Sequence, residues 1–305
     1  MDAPELNPAQ RRVLVELMAL GQDRPRFGPE VAADLAAGIE AVVGPLLGDD
    51  GDTLWVNKGV LSEVHACEAH HLAAEGEDFA WTAATARGTV AHRALELSLT
   101  WGGDPAPLDL VDQAIESLCR DERRTGPGSW LLSASPLDLA DLRAGANDVV
   151  AKFLECWPPL RPRWAPRTET GIGAYLCAER VTLWGKVDLV LGRARGDEAR
   201  ALVVDVKTGR AYPSHLDDLR FYALVQTLRI GVPPFRVASY YLDTATFHVE
   251  DVTVDTLALA ARRAVDGARK VLELRRGRAP GITPGPQCSW CRLADICEGA
   301  LSLRS

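Results

Sequence analysis

The sequence predicts an α/β fold in which a helical N-terminal half packs against a central mixed β-sheet. Up to residue 156, apolar residues recur at helical spacing, and the proline-rich stretch WPPLRPRWAP (157–166) ends that pattern. Beyond it, short segments of alternating apolar and polar residues predict strands. The chain has neither a G-x-G-x-x-G nor a G-x-x-x-x-G-K-[ST] motif, which disfavours a dinucleotide-binding fold and a phosphate loop.

Each element follows from its own pattern. Helices are predicted over 8–20, 29–46, 60–76, 87–100, 108–122, 136–156, 215–230 and 254–276. Strands are predicted over 168–177, 179–192, 201–207, 235–243 and 246–252. Loops or turns are predicted at GDDGDT (48–53), PGSW (127–130) and RGDE (195–198), and GRAPGITPGP (277–286) leads into a cysteine-rich tail.

Composition indicates a soluble cytoplasmic protein. The 305 residues are 47% hydrophobic and 25% charged, no apolar run approaches the ~20 residues of a membrane helix, and the N-terminus lacks a signal-peptide pattern. A net charge of −8 is unfavourable for binding nucleic acid unless basic residues are concentrated locally. Two such concentrations exist, and either could line a groove or form a solvated face: Arg161, Arg163 and Arg167; and Arg262, Arg263, Arg269, Lys270, Arg275, Arg276 and Arg278.

Charged residues interrupt two predicted strands. In VTLWGKVDLVL (181–191), alternation puts Val181, Leu183, Val187, Leu189 and Leu191 on one face, and Thr182, Lys186 and Asp188 on the other. In ALVVDVKTG (201–209), Asp205 and Lys207 leave the same face, with Cα atoms about 7 Å apart. Asp188, Asp205 and Lys207 can therefore serve one Mg²⁺ or Mn²⁺ site, whereas the alternative is an Asp–Lys ion pair at a strand end.

A helix upstream contributes His92 and Glu96, which lie at i and i+4 on one face of GTVAHRALEL (88–97). A neutral imidazole can bind a metal, although a histidine in an alanine- and leucine-rich helix can equally be a packing residue.

Taken in order, GTVAHRALE, GKVDLV, VVDVKTG and DLRFYAL resemble the RecB-like branch of the PD-(D/E)XK nucleases, over roughly residues 60–298. The resemblance implies a restriction-endonuclease-like core over 56–305, preceded by a helical extension over 1–55. It implies that His92, Asp188, Asp205 and the carbonyl of Val206 bind Mg²⁺ or Mn²⁺, that Lys207 is catalytic, and that Glu96 supports His92 or joins the metal shell. In the helix that follows, Tyr222 matches the family tyrosine, but Asp218 replaces the usual glutamine, so both are candidate DNA contacts.

The tail CSWCRLADIC (288–297) carries three cysteines at C-x2-C-x5-C spacing, which suits a metal site in a reducing compartment. Iron–sulfur members of the branch add one cysteine upstream, and the resemblance implies a [4Fe–4S] cluster held by Cys67, Cys288, Cys291 and Cys297. The alternatives are structural zinc, with His65, His70 or His71 near Cys67 as further ligands, or unligated thiols. Cys119, Cys156 and Cys177 read as buried apolar residues.

The resemblance implies a metal-dependent deoxyribonuclease, exonucleolytic and with a preference for single-stranded DNA, that serves repair, recombination, CRISPR adaptation or phage defence. A helicase or a CRISPR integrase is the implied partner. The alternative is a non-catalytic iron–sulfur subunit that binds DNA within a larger assembly. A zinc-ribbon regulator is a third hypothesis, weakened by the lack of a compact basic recognition helix.

Overall fold

A six-stranded mixed sheet forms the centre of the computed structural model, which describes residues 6–48, 51–75, 79–121 and 126–303. The strands are β1 (Leu54–Val56), β2 (Arg167–Leu176), β3 (Val181–Leu191), β4 (Leu202–Lys207), β5 (Arg236–Tyr241) and β6 (Thr246–Asp251). Their order is β1-β3-β4-β5-β6, with β2 paired to β3 outside this path. The pairs β1–β3 and β4–β5 are parallel and the others antiparallel. The predicted α/β class with a central mixed sheet is confirmed.

Helices cover both faces of the sheet. They are α1 (Pro8–Arg12), α2 (Glu30–Val43), α3 (Lys58–Ala66), α4 (Glu68–Ala74), α5 (Ala83–Ser98), α6 (Pro107–Cys119), α7 (Gly128–Ser133), α8 (Pro136–Cys156), α9 (Ser214–Ile230), α10 (Val254–Arg275) and α11 (Glu298–Leu301). A π-helical turn over Val13–Leu17 continues α1. Short 3₁₀ turns lie at Gly44–Leu46, Pro162–Trp164 and Pro286–Ser289.

Local chemistry explains where the elements differ from the sequence patterns. The segment predicted as one helix over 60–76 divides into α3 and α4 at Cys67, whose backbone is extended (φ −166°, ψ 118°). The predicted PGSW loop instead opens α7, and β1 is too short for its alternation to be seen in the sequence. The predicted helix ends at 76 and 122 and part of the 48–53 loop lie outside the described residues.

Strand β3 organises the sheet, because it pairs with three others. Strand β2 pairs along one edge, from Val181 to Val190. The other edge is shared, since β1 pairs with Val181–Leu183 and β4 with Leu189–Leu191. Between these two partners, β3 has no ladder on that edge within the described structure. The strands therefore part beside Asp188, and the opening exposes polar groups at the centre of the sheet.

Two apolar cores lie on opposite faces of the sheet. The first joins α5, α6 and α8 to Leu189, Leu191, Val204 and Val206. The second joins α2, α3, α9 and α10 to Val181, Leu183, Val187 and Val203. The prediction that all five alternating residues of β3 share one face is therefore wrong. The pleat is interrupted at Asp188, where the facing residue Glu169 has a φ of +48°.

Helix α5 carries one wall of the site. It begins at a capping box, in which the Thr82 hydroxyl accepts from the Thr85 N–H and the Thr85 hydroxyl accepts from the Thr82 N–H. Its buried face contains small residues, including Ala86, Ala91 and Ala94, which let α6 and α8 approach closely. The other face of α5 carries His92 and faces the opening in the sheet beside Asp188.

The N-terminal residues pack on both cores. Val13 and Leu17 belong to the first core, and Ile39 and Val43 to the second. The boundary at residue 55 stays a prediction. Within the described part of the chain, no helix is both long enough and apolar enough to span a membrane.

Candidate active site

Three side chains that could bind a metal ion lie close together where β3 and β4 separate. One ligand atom from each of His92, Glu169 and Asp188 lies within 4.8 Å of the other two. His92 Nδ1 is 3.2 Å from Asp188 Oδ1 and 3.4 Å from Glu169 Oε1. The three residues come from α5, β2 and β3, so the tertiary fold, rather than a local loop, creates this cluster.

A small cavity lies against these side chains. It has a volume of about 20 Å³ and is lined by His92, Glu169, Asp188 and Val206, with apolar walls that include Phe153. This volume suffices for one water molecule or one ion. The Val206 N–H donates to Asp188 Oδ2 at 2.7 Å, so its N–H points toward β3. Because the N–H and C=O of one strand residue point to the same edge, the Val206 carbonyl faces the same opening.

Electrostatics favour a cation at the cluster. Burial lowers the pKa of His92, but the carboxylates of Asp188 and Glu169 outweigh burial and raise this pKa to about 10. Burial raises the pKa of Glu169, but hydrogen bonds from His92 and Lys186 outweigh it and lower this pKa. The protonated imidazole is thus the counter-charge of two carboxylates, and a divalent cation bound here would replace that proton.

Asp205 lies between two lysines. Its side chain is 1% exposed, Lys207 Nζ is 2.6 Å from Oδ2, and Lys58 Nζ is 3.4 Å from Oδ1. Burial raises the pKa of Asp205, but Lys58 and Lys207 outweigh it and lower this pKa. The lysine pair therefore keeps the buried Asp205 carboxylate ionised, which is the form that binds metal.

Asp218 shares the same two lysines. Its Oδ2 lies 3.5 Å from Lys207 Nζ and 4.0 Å from Lys58 Nζ. Burial raises the pKa of Asp218 and nearby Asp205 adds to this, while both lysines oppose it. The net effect is a raised pKa for Asp218, and Lys58, which also lines the open cleft, is one of the two cations beside this carboxyl group.

Tyr222 is buried, with 1% of its surface exposed, and its hydroxyl donates to the Lys186 carbonyl at 2.8 Å. Its ring lies so close to β3 that a Cβ at Gly185 would be 2.7 Å from Tyr222 Cε1. In this structure Tyr222 holds α9 against β3 and does not reach the cleft surface.

Glu96 lies one turn beyond His92 but outside the three-residue cluster. Its carboxylate is 2.5 Å from Arg93 Nη1, and both side chains line the cleft. The fold thus places Glu96 near the candidate metal ligands, and its charge is balanced by Arg93 on the same helix.

A family model described as the PD-(D/E)XK nuclease superfamily matches residues 59–298. The chain belongs to the PD-(D/E)XK nuclease superfamily. Among solved structures, a protein from Eubacterium rectale, provisionally described as an exonuclease, is similar with a TM-score of 0.45 at 12% identity, covering 84% of this chain and 90% of that chain. The structure of SSO0001 has a TM-score of 0.35 at 14% identity, covering 69% and 95% respectively. No curated protein matches the sequence.

Nucleases of the PD-(D/E)XK superfamily use divalent metals, and the cluster of His92, Glu169 and Asp188 has the donor set that Mg²⁺ or Mn²⁺ accepts. Asp205, Val206 and Lys207, at the end of β4, have the D-x-K order that the superfamily name contains.

Two members of this site were not found in the sequence. Glu169 has a detectable signal, because a β2–β3 hairpin with its turn between residues 178 and 179 places Glu169 opposite Asp188. Lys58 has no such signal. It follows the three-residue strand β1 and reaches Asp205 only through the tertiary fold.

The cysteine tail contacts the junction of α3 and α4. The Thr283 N–H donates to Cys67 Sγ at 3.5 Å, and Gln287 Nε2 donates to the Ala66 carbonyl at 3.5 Å. Residues that neighbour Cys67 and Cys288 in sequence are thus in contact, although more than two hundred residues separate them along the chain.

The four thiols proposed as ligands do not form a compact group of three in the described structure. Four thiolates on one zinc lie about 3.8 Å apart, since each Zn–S bond is about 2.3 Å in a tetrahedral site. Among the described side chains, no three of Cys67, Cys288, Cys291 and Cys297 have sulfurs within 4.8 Å of one another.

Proposed function

We propose that the protein is a Mg²⁺- or Mn²⁺-dependent deoxyribonuclease that hydrolyses phosphodiester bonds at the parting of β3 and β4. The observation that carries this proposal is the cluster of His92, Glu169 and Asp188 beside the Asp205–Lys207 pair. The cluster opens onto a cleft of about 1020 Å³, lined on one side by α5. A buried group of acids that faces an open cleft is what metal-assisted attack on a bulky polymeric substrate requires.

Asp188, Glu169, Asp205, neutral His92 and the Val206 carbonyl would hold the metal. A divalent ion there supplies a water of lowered pKa and neutralises charge that develops on the phosphoryl oxygens. The ammonium group of Lys207 lies on Asp205 and is 17% exposed, so it can orient the attacking water and donate to a phosphoryl oxygen. Tyr222 and Gly185 set the spacing between α9 and β3.

Lys58 has a second role in this scheme. Its side chain is 37% exposed, contacts both Asp205 and Asp218, and lines the cleft. It offsets the repulsion that Asp218 would otherwise exert on a phosphate, so the replacement of glutamine by Asp218 is compatible with DNA binding.

We further propose exonucleolytic action with a preference for single-stranded DNA, in a pathway shared with a helicase or a CRISPR integrase. These assignments rest on the resemblance to RecB-like nucleases. DNA binding itself is supported by the cationic side chains of the cleft, which include Arg87, Arg93 and Lys58.

We propose that Cys67, Cys288, Cys291 and Cys297 hold a [4Fe–4S] cluster with a structural role. From Arg276 onward, among the described residues, only Gln287, Ala294 and Ala300 are buried, and none of these belongs to either apolar core. A tail with so little burial needs a cross-link to stay ordered.

The test is an assay with DNA labelled at the 5′ or the 3′ end, single- or double-stranded, in Mg²⁺, Mn²⁺ or EDTA. The proposal predicts metal-dependent degradation that falls by about 10²–10³-fold in the Lys207→Ala variant. The label patterns report polarity and strand preference. If wild-type protein with a complete [4Fe–4S] cluster binds DNA but degrades none with either metal, the nuclease proposal is wrong and a DNA-binding subunit is favoured.

A further inference from the structure

The wall of the cleft beyond the metal cluster carries a cation and two aromatic rings that catalysis does not use. Arg87 lies on α5, one residue before Gly88. Phe79 and Trp81 precede the same helix and line the same cleft. Neither the superfamily motif nor the metal site requires these three side chains.

Arg87 has an uncompensated charge. Within the described structure it forms no ion pair with a carboxylate, its Nε is buried without an acceptor, and its one hydrogen bond runs from Nη2 to the Thr208 carbonyl at 3.3 Å. Arg93 and Lys186, in the same cleft, are paired with Glu96 and Glu169. Because a buried N–H without an acceptor is costly, Arg87 is suited to bind an anion that enters the cleft.

Arg87 is adjacent to the catalytic lysine. Thr208 directly follows Lys207, and a Cβ at Gly88 would lie 3.2 Å from Thr208 Oγ1, so the helix and the strand end approach closely here. Because Arg87 donates to the carbonyl of the residue after Lys207, a strand whose cleaved phosphate lies at Lys207 can place a neighbouring phosphate near Arg87.

The aromatic pair is suited to a base. Phe79 and Trp81 have ring centroids 4.9 Å apart at 75°, and Trp81 packs partly against the first core. Phe79 is 61% exposed, so its ring is accessible from the cleft that it lines. Aromatic rings held this way bind nucleobases by stacking, with little dependence on sequence.

We propose that Arg87, Trp81 and Phe79 form a nucleotide subsite, in which Arg87 binds a phosphate next to the one cleaved and the rings stack on an unpaired base. The subsite rests on the proposed nuclease function and deepens it, because it assigns residues to strand selection. A base in a duplex has both faces covered by its neighbours, so only an unpaired strand can use the rings.

The proposal is tested by measuring DNA binding. All proteins carry Lys207→Ala and are kept in EDTA, so that the DNA is not degraded during the measurement. The probes are a fluorescein-labelled single-stranded oligonucleotide and its duplex, measured by anisotropy over a range of KCl concentrations. Adding Arg87→Gln should reduce the slope of log Kobs against log[KCl] by about 0.7, the value for one phosphate contact on a single strand. Adding Trp81→Ala should weaken single-strand binding about 5- to 150-fold and leave this slope unchanged.

Matched controls separate the subsite from general effects. Arg143 is paired with Asp112 away from the cleft, and Trp55 is 51% exposed on β1, so Arg143→Gln and Trp55→Ala should change neither quantity. Phe79→Ala, at an exposed position, should weaken single-strand binding even if Trp81→Ala disturbs folding. A series of oligonucleotides, each lacking the base at one position, locates the stacked base. At one position, loss of the base should weaken binding to the Lys207→Ala parent but should not further weaken binding to the protein that also carries Trp81→Ala.

Equal effects of Trp81→Ala and Trp55→Ala, an unchanged salt slope in Arg87→Gln, or equal losses on duplex and single strand would each overturn the subsite. Failure of the nuclease function is a separate result, since it is absence of metal-dependent cleavage by wild-type protein. The binding contrasts do not depend on cleavage.

Discussion

The two proposed metal sites, the His92–Glu169–Asp188 cluster and the cysteine tail, each draw candidate ligands from distant parts of the chain, but the fold supports them differently. His92, Glu169 and Asp188 stand on a helix and two strands that share the apolar cores. Beside them, Asp205 is paired with Lys207 and Lys58, and Glu169 is paired with Lys186. The tail after Arg276 is joined to the junction of α3 and α4 by polar contacts, and Trp290 is 66% exposed.

This contrast teaches that the two proposed metals have different parts. The His92–Glu169–Asp188 cluster is organised by strand register and ion pairs without a metal, so we propose that a metal there would serve chemistry. The tail buries little, so we propose that a metal there would serve folding. Changes at the first site should therefore alter activity while leaving stability almost unchanged, and changes at the second should do the opposite.

The largest expected effect is on catalysis. Glu169→Gln removes one charge from the cluster but keeps its shape, so cleavage should fall by at least about 10²-fold, with the free energy of unfolding changed by less than about 1 kcal/mol. Single-turnover cleavage and urea denaturation measure the two quantities. The control is Glu198→Gln, which pairs with Arg200 away from the cluster. Equal activity of the two variants would remove Glu169 from the site.

The opposite pattern is expected for the tail. Cys67→Ser should lose the cluster and, by comparison with the loss of a covalent cross-link, lower the free energy of unfolding by roughly 2–5 kcal/mol. Iron and sulfide analysis measures the loss of the [4Fe–4S] cluster, and thermal melting measures the loss of stability. In limited proteolysis of the variant, the protease should first cut the chain after residue 276. Cys177→Ser, in a thiol assigned to packing, should keep four irons. A full cluster in Cys67→Ser would exclude Cys67 as a ligand.

The pKa of His215 tests the electrostatic effect of burial and of the nearby Lys207. Burial and the charge of Lys207 lower the pKa of His215 to about 4. Between pH 6.5 and 4 the unfolded chain binds a proton there and the folded chain does not, so stability falls as the pH falls through this window. Wild-type protein should lose roughly 1–3 kcal/mol more than His215→Gln between pH 7 and pH 4, measured by urea denaturation. Parallel losses in both proteins would contradict the lowered pKa.

The smallest effect concerns the charge balance at Asp218. Lys58→Ala should weaken DNA binding in EDTA, because Asp218 then faces the cleft with one cation fewer. Asp218→Asn in the same background should restore part of the affinity, which gives a coupling energy of about 1 kcal/mol in the double-mutant cycle. Additive effects of the two substitutions would mean that Lys58 does not compensate Asp218.

Much of this could be predicted from the sequence, for identifiable reasons. Helices such as α8 and α10 are long enough for their period to be read, and Asp188, Asp205 and Lys207 stand out because they interrupt apolar strands. The partners of these residues depend on register and tertiary contact. Lys58 contacts Asp205 across 147 residues of sequence, and Glu169 is identified as the neighbour of Asp188 only once the register of β2 and β3 is known.

The division at Cys67 shows a similar limit. The helical pattern runs through the residue, but the extended backbone there turns its side chain toward the tail, a contact that the periodicity of α3 and α4 does not contain.

The most direct test of the central claim is a crystal soaked in Mn²⁺, with anomalous diffraction collected at the manganese edge. A peak is expected among His92, Glu169, Asp188 and the Val206 carbonyl, and a weaker peak or none in Asp188→Asn crystals. A strong manganese peak elsewhere in the cleft, with none among these residues, would contradict the proposed metal site.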